Sequence, residues 1–320
     1  MSNVTTSPPT ELPQHLQAAV ETKSYQNEAK AFSLRDDLDK LTDFDSKLEE
    51  SSASWTSKKA RQDLGCLGWG LALLGILIGS SHLPPIVSAT LVTIVIAGTF
   101  FNLRKGRQIQ AEIAALEALN IPAERYQLSG ILLTLLAADA GQDANFNLQL
   151  DLKPHDDESA KTGEGKVSYW NVDYFQQPWL QLSGRLLDGT KLDLVLTEKQ
   201  QNRHRTKRSA SGKIKHKSKT KSSSLISIKA RFKPKSIETQ AGREDSIGAA
   251  VNVAGAEVKK VQCSEGMLQV ILKFPDSLWG GSMQNASGRR EYELLADHGM
   301  GRVASSLIQV FNYLNTQRVK

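Results

Sequence analysis

Residues 64–103 read LGCLGWGLALLGILIGSSHLPPIVSATLVTIVIAGTFFNL and contain no Asp, Glu, Lys or Arg. A helix needs about 20 mostly apolar residues to cross a lipid bilayer. Two apolar segments, 64–83 and 86–103, flank Pro84-Pro85, and a proline pair breaks a helix where a turn is required. The stretch therefore predicts a two-helix transmembrane hairpin over 63–103.

The charges next to this stretch predict its orientation. Basic residues precede and follow the hairpin and are missing from its turn: Lys58, Lys59, Arg61, Arg104, Lys105 and Arg107. Because loops with excess Lys and Arg face the cytoplasm, the sequence predicts an integral membrane protein with both termini cytoplasmic. The chain has only two cysteines, which predicts no disulfide framework and agrees with a reducing compartment.

One helix before the hairpin and one helix after it are predicted as stalks. In 13–62 a heptad pattern recurs at alternating steps of three and four: Ala31, Leu34, Leu38, Leu41, Asp45, Leu48, Ser52 and Trp55. A second stalk helix covers 104–121, and 1–12 is predicted as a disordered tail. The heptad face could pair with the second stalk or with a second copy of the chain. The GxxxG pair Gly75 and Gly79 fits packing within the hairpin or dimerisation.

Beyond Pro122 the pattern changes to a period of two, which is typical of half-buried strands. Segment 122–320 is therefore predicted as a cytoplasmic, mainly antiparallel β-domain that ends in a helix over 302–317. The apolar run 131–138 is interpreted as a central strand opposite 146–152. The fold class is an α+β membrane protein: a helical stalk, a transmembrane hairpin and an antiparallel β-domain with a C-terminal helix.

One hairpin register can be predicted from the alternation. A three-residue loop at 187–189 would place Leu182 opposite Leu194 and Leu180 opposite Leu196. A two-residue loop would place Leu182 opposite Val195 and Leu180 opposite Thr197, on the same face as Lys191 and Asp193. Since a slip of one residue turns every side chain to the other face, the first register is predicted.

A basic segment interrupts the β-domain. Residues 199–222 are predicted as a disordered loop, and nine positive charges lie in it without an acid among them: Arg203, Arg205, Lys207, Arg208, Lys213, Lys215, Lys217, Lys219 and Lys221. The formal net charge of the chain is +6, so this segment alone makes the protein basic. Such charges could contact anionic lipid headgroups, bind nucleic acid, or only aid solubility. No aromatic residue is interleaved among them to stack bases.

Catalytic and metal-binding motifs are missing from the sequence. There is no HExxH, no Gly-x-Ser-x-Gly and no phosphate-binding loop, and His155-Asp156-Asp157 is the nearest approach to a metal cluster. We therefore expect no enzyme activity, no cofactor and no metal.

The sequence favours a membrane-anchored scaffold that presents its β-domain to an unidentified cytoplasmic protein while the basic loop contacts lipid headgroups. The alternative is a membrane-bound factor that uses the basic loop to bind nucleic acid or the ribosome. The lipid bilayer is a partner in both interpretations, and a homo-oligomer is compatible with either of them.

Overall fold

The computed structural model describes most of the chain, and the described residues are 12–79, 84–141, 144–208, 211–233, 244–275, 278 and 289–316. These residues form two compact units, one made of 43–120 and the other of 12–42 together with 121–316. The predicted tail lies almost wholly outside the described residues.

The described part of the first unit contains helices only, whereas the second unit contains both helices and strands. The helices are α1 (Gln14–Thr22), α2 (Ala31–Gly79), α3 (Pro85–Leu119), α4 (Ala123–Ala140), α5 (Glu244–Ala250) and α6 (Arg289–Thr316). The strands are β1 (Ser24–Lys30), β2 (Asn145–Asp151), β3 (Lys161–Val167), β4 (Trp170–Arg185), β5 (Lys191–Arg208), β6 (Ile214–Arg231), β7 (Glu257–Ser264) and β8 (Met267–Phe274).

A single antiparallel sheet carries the second unit, with strand order β1-β2-β4-β5-β6-β8-β7 and with β3 paired to β4. In the central part of the sheet every second strand residue is buried on one face, as in Leu192, Leu194 and Leu196 of β5. Helices α4 and α6 contact the sheet, and their apolar side chains complete the core. The prediction of an antiparallel α+β domain is confirmed, although 131–138 lies in α4 rather than in a strand.

The predicted register between β4 and β5 is confirmed. Leu182 lies opposite Leu194, and Leu180 lies opposite Leu196. Gly189 adopts the left-handed conformation, with φ of 83°, that such a turn requires of one residue. The alternation of leucines was sufficient for this prediction because only one register buries all four side chains.

The structure contradicts the predicted membrane hairpin. Among the described residues, no helix combines the length and the apolarity that crossing a membrane requires. The spans 64–83 and 86–103, the membrane part of the fold class, and the localisation with cytoplasmic termini are corrected accordingly. Helix α2 ends at Gly79, so the described helical part of the first segment is shorter than the roughly 20 residues a span needs.

The second segment lies inside α3 and sits at the lower limit of that length. It also carries hydroxyl side chains that bond to its own backbone, as Thr99 does to the carbonyl of Val95 at 2.7 Å. Several large apolar side chains on α2 and α3 are nevertheless exposed, including Leu67, Leu71 and Phe100.

Helices α2 and α3 contact each other through small and amide residues. A Cβ on Gly98 of α3 would lie 2.8 Å from the Trp69 ring of α2, so the absence of a side chain there lets the ring approach. Gln62 of α2 donates a hydrogen bond to the backbone carbonyl of Asn102. Gly75 and Gly79 lie in α2, but their surroundings are outside the part of the chain that the structure describes.

The predicted stalk at 13–62 is divided by strand β1. The buried Asp37 carboxylate of α2 accepts hydrogen bonds from Tyr25 Oη at 2.9 Å and from Asn27 Nδ2 at 3.3 Å, and it lies 3.1 Å from His15 Nε2. Burial raises the pKa of the Tyr25 hydroxyl, which therefore stays a proton donor. Asp37 thus joins α1, β1 and α2, and it explains why a polar residue is buried next to the heptad residue Leu38.

A glycine in β4 makes room for a core aromatic ring. Gly184 lies directly opposite Phe146 of β2, and a Cβ on it would lie 2.2 Å from Cδ1 of that fully buried ring. We expect Gly184→Ala to lower the free energy of unfolding by about 1–3 kcal/mol, because the ring must move within a packed core. Urea denaturation beside the neighbouring Ser183→Ala checks this, and equal stability of the two variants would contradict it.

Candidate functional site

The segment predicted as a disordered basic loop forms the outer half of a long two-stranded ribbon. Strands β5 and β6 each contain 18 residues and pair continuously from Lys191 with Arg231 to Arg208 with Ile214. Strand β8 pairs with β6 only over 224–231, so the outer half of β6 is an edge of the described sheet. Gly212, with φ of 79°, lies in the connecting turn.

Pairing brings most of the predicted basic residues onto one face of the ribbon. Residues directly opposite each other in an antiparallel pair point to the same side, and so do residues two positions apart along a strand. Arg203 lies opposite Lys219, Arg205 opposite Lys217, and Lys207 opposite Lys215. The basic face, as we call it, consists of Arg203, Arg205, Lys207, Lys215, Lys217, Lys219 and Lys221.

The other two predicted basic residues lie elsewhere. Arg208 points to the opposite face, paired with Ile214, and its Nε donates a hydrogen bond to the carbonyl of Gly212 at 3.3 Å. Lys213 lies in the turn region just before β6. The structure therefore brings together seven of the nine residues and separates these two.

The basic face lowers the stability of the protein when no ligand is bound. Like charges directly opposite each other in a sheet destabilise it, by up to about 1 kcal/mol for each pair. Among the described residues, no carboxylate forms an ion pair with any of its seven side chains. The four lysines of β6 are exposed, so a ligand can reach them. A polyanion would remove the repulsion that the fold leaves uncompensated.

Acidic residues near the ribbon lie on its opposite face. Asp173 of β4 is paired with Asn202, and its carboxylate lies 3.3 Å from Lys161 Nζ and 3.7 Å from His204 Nδ1. Glu164 accepts a hydrogen bond from the same lysine at 2.7 Å. Positive charge is therefore concentrated on one face of the ribbon, while the other face is electrically mixed.

Two aromatic side chains of β4 share the basic face. Tyr174 lies opposite Gln201, and Trp170 follows on the same side. The guanidinium carbon of Arg205 lies 4.5 Å from the centroid of the Trp170 ring, a cation–π contact. The Tyr174 ring leans over β3, where a Cβ on Gly165 would lie 3.3 Å from its Cε2. Both rings remain partly exposed.

Sequence reasoning missed these aromatic residues because they lie about 30 positions before the basic segment and reach it only through the register of β4 with β5. A signal for the ribbon itself was present. In 213–221 every second residue is lysine, and Ile, His, Ser and Thr fill the positions between. This period of two indicates a strand, but the polar composition suggested disorder instead.

A second polar cluster is buried beneath α4. The fully buried Arg125 guanidinium donates hydrogen bonds to Gln177 Oε1 at 2.9 Å and to the carbonyl of Asp151, and it lies 2.7 Å from His155 Nδ1. Burial lowers the pKa of Arg125 to about 10. The cluster ties α4 to β2, β4 and the segment after β2, which is a structural role.

His155 belongs to the segment His155-Asp156-Asp157, the nearest approach to a metal cluster in the sequence, and the structure turns it inward toward Arg125. Among the described residues, no group of three or more His, Cys, Asp or Glu side chains could hold a metal ion. Burial, followed by the nearby Arg125 charge, lowers the pKa of His155 to about 4. The imidazole is therefore neutral in the folded protein near neutral pH.

The protonation of His155 makes stability depend on pH. The unfolded chain binds this proton near pH 6.5, whereas the folded protein binds it only near pH 4. The contribution of neutral His155 is therefore full above about pH 6.5 and is lost as the pH falls toward 4. We expect His155→Gln to flatten the loss of unfolding free energy between pH 6.5 and 4, measured by urea titration. An unchanged pH profile would contradict this.

Comparisons of the chain with protein-family models, with curated proteins and with solved structures found no match. The function of the basic face is therefore argued from its own geometry and charge.

Proposed function

We propose that the protein binds nucleic acid through the basic face of the β5–β6 ribbon. The observation that carries the proposal is the row of three directly opposed pairs of positive charge, Arg203–Lys219, Arg205–Lys217 and Lys207–Lys215. When basic side chains neutralise phosphates, counterions that were condensed on the nucleic acid are released. This release supplies most of the affinity in sequence-independent binding. The negative charge of the ligand would also relieve the repulsion within the basic face.

The shape of the ribbon supports the same proposal. Basic residues two positions apart along a strand are separated by about 6.6 Å, so the face is a linear array of charge, as a phosphate backbone is. A two-stranded ribbon is also narrow enough to approach nucleic acid closely. The predicted contact with lipid headgroups assumed that a membrane anchor holds the segment near a bilayer. Because the predicted spans are contradicted, that argument loses its premise.

The proposal is tested by fluorescence anisotropy of the full chain with labelled oligonucleotides of about 30 residues at about 50 mM salt. Flotation with vesicles of phosphatidylserine and phosphatidylcholine at the same salt is the parallel measurement. We expect oligonucleotide binding that weakens steeply as salt is added. No anisotropy change at low salt, or vesicle binding without oligonucleotide binding, would contradict the proposal. A β-domain presented to a protein partner, and the expected lack of enzyme activity, stay predictions.

A further inference from the structure

The basic face carries more than charge, because aromatic rings lie within it. Arg203 of β5 lies opposite Val172 of β4, and this valine is flanked on its own strand face by Trp170 and Tyr174. Alternate residues of one strand point to the same side, so both rings stand on the surface that bears the arginines. Arg205 confirms this placement, since its guanidinium lies over the Trp170 ring.

Strand β3 leaves the Tyr174 ring accessible from one side. Its residues opposite Tyr174 and Val172 are Gly163 and Gly165. A Cβ on Gly163 would meet nothing within 4 Å, and one on Gly165 would meet only the Tyr174 ring. With no side chain at either position, β3 forms a low border beside Tyr174 and Val172, whereas Val167 of β3 lies opposite Trp170. A flat group can therefore approach the Tyr174 ring across β3 while its charged chain follows the lysines of β6.

The positions of the two aromatic residues along β4 argue against a paired helix as the ligand. Trp170 and Tyr174 are four residues apart, which is about 13 Å along a strand. Neighbouring bases in a duplex are stacked at about 3.4 Å and show their flat faces only to each other. Two rings at separate positions of a strand can each receive a base only from a chain whose bases are unpaired and free to stack on protein.

We propose that the ligand of the basic face is single-stranded nucleic acid, with bases stacked on Trp170 and Tyr174 and phosphates along the β5–β6 ladder. This inference rests on the proposed function and adds the class of ligand. Stacking on aromatic side chains accepts every base because each base has a π-face, so the binding is tolerant of sequence. Arg205 serves both parts of the surface, as a phosphate contact and as a cation beside the Trp170 ring.

The first arm of the test uses the unaltered full chain and two oligomers with the same number of phosphates. One is an oligothymidine strand, and the other is an abasic strand that keeps the charges but has no base to stack. We expect the thymidine strand to bind at least about fivefold more tightly than the abasic strand, which corresponds to the stacking of one base. We also expect it to bind more tightly than a duplex with equal phosphates.

The second arm uses variants of the rings. Trp170→Leu and Tyr174→Leu are each expected to weaken thymidine-strand binding by about fivefold or more while leaving its salt dependence unchanged. Trp170→Phe should keep most of the affinity. The matched control is Trp55→Leu, since Trp55 is another partly exposed tryptophan with a cation, Lys58 Nζ, 4.0 Å from its ring centroid.

The outcomes separate this inference from the proposed function. Equal binding of the thymidine and abasic strands, or tighter binding of the duplex, would overturn the stacking inference and leave nucleic-acid binding in place. If neither strand binds, both proposals fail. The first arm needs no variant, so the inference remains testable even if a ring substitution prevents folding.

Discussion

Replacing Lys215, Lys217, Lys219 and Lys221 together with glutamine is expected to abolish most nucleic-acid binding and to stabilise the fold. Each lost phosphate contact lowers the slope of log affinity against log salt concentration by about 0.7, so four losses lower it by roughly 3. The same change removes like-charge repulsion across the ladder, which is expected to raise the free energy of unfolding by about 1 kcal/mol. Salt titration of binding and urea denaturation measure the two effects.

A matched control separates the position of the charges from their number. A second quadruple variant with glutamine at Lys166, Lys191, Lys260 and Lys273 loses the same net charge from outside the basic face. It is expected to bind nucleic acid nearly as well as the unaltered protein. Equal loss of affinity in the two variants would show that the net charge of the protein governs binding and that the position of the charges on the basic face does not.

Protection of the sheet edge is a second explanation for the lysines of β6, and the same quadruple variant tests it. Lysine on an exposed edge strand discourages pairing with other chains, and the outer half of β6 is such an edge. That use requires charge on β6 only, whereas Arg203, Arg205 and Lys207 place charge on β5 as well. Aggregation of the lysine variant in size-exclusion chromatography, together with unchanged affinity, would favour edge protection over ligand binding.

Arg125→Met is expected to destabilise the protein by about 3–5 kcal/mol, the largest effect on stability that we predict for one residue. The change removes hydrogen bonds to Gln177 and to the carbonyl of Asp151, and it leaves the buried Gln177 acceptor without this donor. The nearby carboxylates of Glu124, Asp151 and Glu198 also favour the charged form of Arg125, so its loss leaves these carboxylates less well compensated.

Urea denaturation of Arg125→Met beside Arg185→Met tests this expectation. Arg185 is an exposed arginine at the end of β4, so its replacement controls for the loss of one positive charge. Arg125→Lys is expected to recover only part of the loss, because an ammonium group cannot reproduce the planar fork of hydrogen bonds. Equal stability of the Arg125 and Arg185 methionine variants would show that the buried cluster is not essential to the fold.

The parts of the fold that sequence predicted well are those where apolar alternation leaves one solution. Leu180 and Leu182 could be paired correctly with Leu196 and Leu194 because any other register exposes leucines. Burial alone therefore fixes this pairing.

Prediction failed where short segments fit two structures. The apolar run at 131–138 is too short for its period to distinguish a strand from a buried helix, and tertiary packing makes it part of α4. Strand β1 was missed because it is a polar edge strand in which only Tyr25 is buried. Its partner β2 lies more than 100 residues further along the chain, so no local pattern reveals the pairing.

The sequence predicted the basic residues of the candidate site but not their arrangement in space. The positive charges of 203–221 were identified from composition, whereas their arrangement on one face depends on the register of β5 with β6. The aromatic rings could not be assigned to the site from the sequence, since Trp170 approaches Arg205 only through the pairing of β4 with β5. Long-range pairing therefore creates the part of the surface that suggests a ligand class.

The most direct test of the central claim is the salt dependence of oligonucleotide binding by the unaltered full chain. With seven basic side chains on the basic face, log affinity for a single strand should fall with log salt concentration with a slope of about −5. The lysine variant of β6 should give a slope of about −2 under the same conditions. A slope near zero, or no binding at about 50 mM salt, would contradict the account.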